Sequence, residues 1–210
     1  MLLPVQAHFS RYGFVVLAPG ESPTAAVTTF PEAWHERYFA HEFSRIDPVF
    51  HFASRHTRVS ASTLLSPAEM SSPLFEEARA YGADSNFVSV SNLGGSRMVF
   101  GGVNHHLDRR SAQEAELACK ATHRQIMVAR LSGLSDAQID ILEMYEEGLL
   151  DKEVAGELNV SISAVAQRKQ AICHHLGVNS FRVVMGVYSV AKWGSIVPNL
   201  ASEMGIHKRI

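Results

Sequence analysis

Apolar and polar positions follow two different periods along this chain. Four short runs, Phe14–Ala18, Arg58–Thr63, Phe87–Leu93 and Met98–Val103, have the composition and length of strands. Asn92-Leu93-Gly94-Gly95-Ser96 between the last two predicts a hairpin turn, since glycine accepts the positive φ such turns need. Helical spacing fills Pro31–Phe43 and Ser66–Tyr81. It returns in a long helix, Arg110–Arg130, with Ala115, Leu117, Ala118, Ala121, Ile126 and Ala129 among its apolar positions. The order predicts an α+β N-terminal domain, an antiparallel sheet with helices on its faces, over residues 1–131.

From Leu134 onward the period is helical throughout, which predicts an all-α four-helix domain over 134–193. Ser135 with Gln138 three residues on has the spacing of a capping box. Ile141, Leu142, Tyr145 and Leu149 share a face, and Gly148 is the expected stop. Asp151 is expected to cap a short helix, Lys152–Leu158, with Ala155 where two helices cross closely. Asn159 suits a left-handed turn and Val160 plugs it. Ser161 or Ser163 then caps a third helix running to about His175. The fourth, Ser180–Trp193, carries Phe181, Val184, Val187, Tyr188 and Ala191 at helical spacing. Residues 194–210 form a tail with Pro198, Gly205 and the basic pair Lys208-Arg209.

The last two helices before the C-terminal one have helix-turn-helix spacing, the unit that presents one helix to the DNA major groove. Val165, Ile172 and Leu176 are expected to face inward. Ala164, Ala166, Gln167, Arg168, Lys169 and Gln170 are left to face outward. Gln reads adenine and Arg reads guanine or holds phosphate; serine at the helix start positions phosphate. The candidate DNA-contacting set is therefore Lys152, Ser161, Ser163, Ala166, Gln167, Arg168, Lys169 and Gln170.

Charge qualifies this reading. Over 134–193 the five basic residues Lys152, Arg168, Lys169, Arg182 and Lys192 face eight acids, a balance of minus three. Non-specific affinity comes mostly from phosphate neutralisation, so weak general DNA binding is expected. The acids crowd the first two helices and spare the third. The whole chain of 210 residues has net charge −2 and 46% hydrophobic residues, a globular composition without a chain-wide nucleic-acid field. Cys119 and Cys173 fall in different predicted domains and imply no disulfide framework. No signal peptide and no membrane-spanning run is expected, which makes the expected location cytoplasmic.

Other chemistry finds little support. His35-Glu36 lacks the second histidine of a zinc-protease helix, because position 39 is Phe39. Gly94-Gly95-Ser96 lacks the closing glycine of a nucleophile elbow, because position 98 is Met98. Neither a metal site nor an enzyme is expected.

In the N-terminal half, Trp34 and Tyr38 stand four apart and share a helix face, and Asp47-Pro48 ends one helical region and starts another. Packing and an ordinary turn would account for these residues on their own. Together with the downstream pattern they resemble a known arrangement. Leu134-Ser135, Glu147-Gly148, Lys152 to Ala155, Leu158 to Ser161, Val165 and Leu176 to Val178 resemble the C-terminal domain of LuxR-type regulators. Trp34, Tyr38 and Asp47-Pro48 resemble their autoinducer-binding domain. The resemblance implies a homodimeric regulator of transcription that binds double-stranded DNA. It further implies that Trp34 donates to a lactone carbonyl, Asp47 accepts from an acyl amide, and Tyr38 lines the same pocket. The C-terminal helix would pair with its twin.

The chain departs from the family pattern at several positions. Ala137 and Gln138 replace an Arg-Glu pair, and Arg168 stands where a histidine is frequent. Phe30 replaces a tyrosine, Ser60-Ala61-Ser62 occupy the region of a second aromatic, Asn86 replaces a glycine, and Gly101-Gly102 replace a Ser or Thr. Three states of the pocket therefore stay open: an acyl-homoserine lactone, another small apolar signal, or no ligand. In the last case Phe30, Phe39, Phe43, Phe50 and Phe87 are expected to fill the space. A second functional class also stays open, an interaction protein that forms heterodimers with a homologous regulator and antagonises it without binding DNA.

Overall fold

A computed structural model of the chain describes residues 3–194. The predicted tail therefore lies outside the described residues from position 195 onward. The chain divides into two compact units after Gln125. The division falls inside the helix Arg109–Arg130, and Leu131–Gly133, the expected boundary, is a 3-10 turn.

The first unit is built on a five-stranded antiparallel sheet. Its strands are β1 (Arg11–Leu17), β2 (Pro23–Thr28), β3 (Ala61–Leu64), β4 (Phe87–Leu93) and β5 (Ser96–Val103). They lie side by side in the order β2-β1-β5-β4-β3. β1 alternates half-buried and buried positions, and β5, in the centre, is buried along its whole length. Gly94 and Gly95 close the β4–β5 hairpin with φ of 56° and 92°, and Leu93 pairs with Ser96 as the turn requires. β2 has no counterpart among the predicted strands. Its Pro-Thr-Ala-Ala-Val-Thr sequence is almost wholly exposed, so no inward-facing apolar series marks it.

The helices of this unit are α1 (Glu32–Ala40), α2 (Pro48–Arg55), α3 (Pro73–Arg79) and the first part of α4 (Arg109–Arg130). The predicted helix over 66–81 is broken. Glu69–Ser71 is a 3-10 turn, and α3 restarts at Pro73, which fits the first turn of a helix because its missing N–H would be unpaired there anyway.

The two faces of the sheet differ in chemistry. On one, Val15, Leu17, Val90 and Val99 pack against Val49, Phe52 and Ala53 of α2. On the other, Phe9 packs on Phe87 and Phe100 with ring centroids 5.3 and 4.9 Å apart. Gly102 makes this possible, since a Cβ there would lie 2.5 Å from the Phe9 ring. Towards α4 the same face turns polar. His123, fully buried, bridges Ser91 Oγ at 3.1 Å and Ser96 Oγ at 3.0 Å. Burial pushes its imidazole down to about 4, so it is neutral and uses one nitrogen as donor and the other as acceptor.

In the second unit, α5 (Asp136–Glu146), α6 (Asp151–Glu157), α7 (Ile162–Leu176) and α8 (Phe181–Trp193) follow one another with short turns. The Ser135 N–H donates to Gln138 Oε1 at 3.0 Å, the expected capping contact. Gly148, at φ 93°, ends the first turn and Asn159, at φ 51°, the second. Ser161, not Ser163, caps α7, its hydroxyl accepting from Ala164 N–H at 3.2 Å. Val165, Ile172 and Leu176 are fully buried, as their spacing predicts.

Candidate functional site

A cavity of about 330 Å³ lies in the first unit between the sheet and the helical segments that cover it. Such a volume is within the range of small-molecule sites. Its wall is almost entirely apolar, and the three predicted ligand residues Trp34, Tyr38 and Asp47 all line it. Trp34 is buried at the start of α1, and its ring packs against Tyr38, Phe43 and Tyr81 with centroids 5.5 to 5.9 Å apart. Helical spacing puts Tyr38 one turn further on the same face.

Asp47 is the pivot. Its backbone is extended and it caps α2, Oδ1 accepting from Val49 N–H at 2.8 Å. Oδ2 accepts from the Tyr38 hydroxyl at 2.7 Å. Burial pushes the carboxyl up from its ordinary value, while the Tyr38 and Val49 donors pull the other way. Burial beside Asp47 pushes the Tyr38 hydroxyl well up, so it stays a neutral donor. Two donors leave a carboxylate with unused lone pairs. Among the described residues no acceptor meets the Trp34 indole N–H. Trp34 and Asp47 thus bring one polar donor residue and one polar acceptor residue to an otherwise apolar lining, the usual make-up of a small-molecule site.

The sheet side of the cavity joins strand side chains, Val15 and Val99 among them, to two glycines. Gly13 of β1 pairs with Gly101 of β5, and both line the space. Phe30 packs against Gly13, where a Cβ would be 3.2 Å from its ring, and Val49 against Gly101, where a Cβ would be 3.3 Å from its side chain. Ser85, buried and also in the wall, was not marked by any sequence pattern. The same is true of Ala26, Val27 and Thr28, which come from the unpredicted β2.

The expectation that five phenylalanines fill this space is not met. Phe30, Phe39 and Phe50 form wall and rim, Phe39 being 75% and Phe50 43% exposed. Phe43 packs behind Trp34. Phe87 points to the opposite face of the sheet, because the strand period of two turns it towards Phe9. The region of the missing second aromatic is likewise turned away: Ser62 donates to Glu116 of α4 at 2.6 Å.

In the second unit the predicted DNA-contacting residues separate into two groups. Lys152, Ser161, Ser163, Ala166, Gln167, Arg168 and Gln170 are exposed, all but Lys152 at the start of α7 or along it. Lys169 is not with them. Its Nζ bonds both Asp151 oxygens at 2.7 and 2.8 Å and sits 5.0 Å from the Tyr145 ring centre and 5.4 Å from that of Phe181. Asp151 in turn accepts from Tyr145 Oη at 2.7 Å. This corrects two expectations: Lys169 faces inward, and Asp151 does not cap α6, whose cap position is Leu150. A long stem lets lysine cover apolar surface and still reach a carboxylate.

Residues 6–131 match the autoinducer binding domain family, and the chain belongs to that family, the sensor domain of LuxR-type regulators, which are not enzymes. Among its relatives is the transcriptional activator protein RaiR of Rhizobium etli, 27% identical over 162 residues, 69% of this chain and 67% of that protein. Solved structures that match include SdiA in complex with octanoyl-rac-glycerol, at 20% identity and a TM-score of 0.45, covering 90% of this chain and 83% of that one. Another is CepR2 of Burkholderia cenocepacia, described as an N-acylhomoserine lactone dependent LuxR family transcription factor. It has 15% identity and a TM-score of 0.40, covering 57% of this chain and 73% of that one. Among the described residues no helix is long and apolar enough to cross a membrane.

Proposed function

We propose that the chain is a homodimeric DNA-binding transcription regulator whose first unit binds an N-acyl-homoserine lactone or a chemically similar amide-bearing signal with an apolar tail. The observation that carries the ligand half is the open apolar cavity lined by Trp34, whose N–H has no acceptor among the described residues, and by Asp47, whose carboxylate is only partly used. A ligand carbonyl would accept from Trp34 and a ligand amide would donate to Asp47, with Tyr38 holding the carboxylate in place. The tail would lie among the apolar side chains of the lining, Val15, Phe30, Val49 and Val99 among them. Membership of the autoinducer-binding family supports the same assignment.

The DNA half rests on α6 and α7, read as a helix-turn-helix with Ser161, Ser163, Ala166, Gln167, Arg168 and Gln170 presented to the major groove. Dimerisation is supported by α8, a helix rich in apolar positions on which Val190 and Trp193 remain 52% and 44% exposed. The role named for RaiR agrees with this reading. A mass spectrum of an organic extract tests the ligand half, using protein purified from cells fed a mixture of acyl-homoserine lactones. A lactone carried by the wild type and lost from Trp34→Phe is expected. An empty extract from the wild type would contradict the assignment.

One observation favours a second reading, an interaction protein that heterodimerises with a homologous regulator. With Lys169 and Lys192 tied to Asp151 and Glu146, only Lys152, Arg168 and Arg182 of the five cations in 134–193 are unpaired among the described residues. Gel shifts on genomic fragments decide between the two.

A further inference from the structure

A second depression, of about 470 Å³, lies at the other side of the first unit's sheet, where the loop before β3, the end of β4 and α4 meet. It shares no residue with the ligand cavity. Its walls carry three cations, Arg58 from the loop and Lys120 and Arg124 from α4, and no carboxylate among the described residues. Lys120 and Arg124 are four apart, so one helix face aims both at the groove. This concentration is unusual in a chain of net charge −2.

The partners of these cations narrow what the groove can do. Lys120 is held by Glu116 Oε1 at 2.5 Å, but the other oxygen of that carboxylate is taken by Ser62. Among the described residues Arg58 and Arg124 have neither an ion pair nor a hydrogen bond. Two free guanidinium forks thus flank one groove, and such forks match phosphate oxygens in pairs. Polar groups complete the floor. Ser60 Oγ accepts from Asn92 N–H at 2.9 Å, which leaves the Ser60 proton available, and Asn92 Nδ2 reaches His56 O at 3.3 Å, fixing its amide. Leu93 supplies an apolar wall beside them. The volume exceeds that of a lone phosphate group and leaves room for an organic remainder.

We propose that this groove is a second binding site, for a small soluble phosphate-bearing anion with at least two negative charges, gripped by Arg58 and Arg124. The site does not depend on the assignment of the acyl-lactone cavity. Calorimetric titration of the full chain with inorganic pyrophosphate, at fixed ionic strength, tests it. The wild type is expected to bind one equivalent saturably. Arg58→Gln/Arg124→Gln, both exposed and unpartnered and so compatible with the fold, is expected to bind at least tenfold more weakly with an unchanged melting temperature. Three results would overturn the proposal. They are no saturable binding by the wild type, equal binding by the double variant, or capture of phosphatidylglycerol vesicles or duplex DNA through these arginines without any pyrophosphate binding.

Discussion

Replacing Lys169 by methionine removes a charge that the structure holds inside the second unit. The wild-type ammonium makes two short bonds to Asp151 and stands over two rings. A charge-assisted bond of this kind contributes about 1.5–3 kcal/mol. Here the side chains are 22% and 42% exposed, so the lower end applies. The ring contacts add about 0.5–1 kcal/mol at such a site. Methionine recovers part of this by keeping the apolar stem buried. The net loss is about 1–2 kcal/mol, a fall of roughly 5–15 °C in the calorimetric melting of a unit this size. On the proposed DNA-binding reading the salt dependence should not change, because the Lys169 ammonium is committed to Asp151. The pH dependence has a definite sense. Lys169 and Tyr145 hold the Asp151 carboxyl below its ordinary 3.8. The contribution is thus complete above about pH 4 and fades as pH falls through the folded value. A variant that melts like the wild type, with a salt slope lower by about one, would show that Lys169 is a phosphate ligand after all.

Three further outcomes are expected. Arg168→Ala, on the exposed face of α7, should leave melting unchanged and lower the salt slope of DNA binding by about 0.9; an unchanged slope would remove Arg168 from the interface. His123 is depressed from 6.5 to about 4, so the first unit should lose about 3 kcal/mol of stability as pH falls from 7 to 4. Denaturant titrations should show that loss strongly reduced in His123→Gln, and an equal loss in both proteins would place the acid sensitivity elsewhere. Gly102→Ala must displace the Phe9 ring and should destabilise the first unit by about 1–3 kcal/mol, read as a lower denaturant midpoint; a wild-type midpoint would contradict the close approach.

Legibility in the sequence followed the strength of local signals. Glycine and asparagine turns were readable because few residues accept positive φ: Gly94-Gly95, Gly148 and Asn159 stand where expected. Core positions of α7 were readable from their period. β2 was not, since an edge strand with both faces largely exposed has no apolar alternation to display. The site was half readable. Trp34, Tyr38 and Asp47 meet in one cavity, but the Gly13–Gly101 pairing beside it depends on strand register, which no local pattern specifies. Phe87 and Lys169 show the same limit from two sides. Residue type suggested the direction of each, and a one-residue phase or a long flexible stem reversed it.

The central claim is that the Trp34–Tyr38–Asp47 cavity is a working ligand site. Titration of purified wild type and Asp47→Asn with N-acyl-homoserine lactones of increasing chain length measures this directly. Asparagine keeps an acceptor for Val49 N–H but replaces the carboxylate that would receive the ligand amide. At least one chain length should bind the wild type saturably. At a hundred times the dissociation constant it should stabilise the fold by about 2.7 kcal/mol, with at least tenfold weaker binding to Asp47→Asn. Failure of every chain length to bind, or equal affinity in the two proteins, would contradict it.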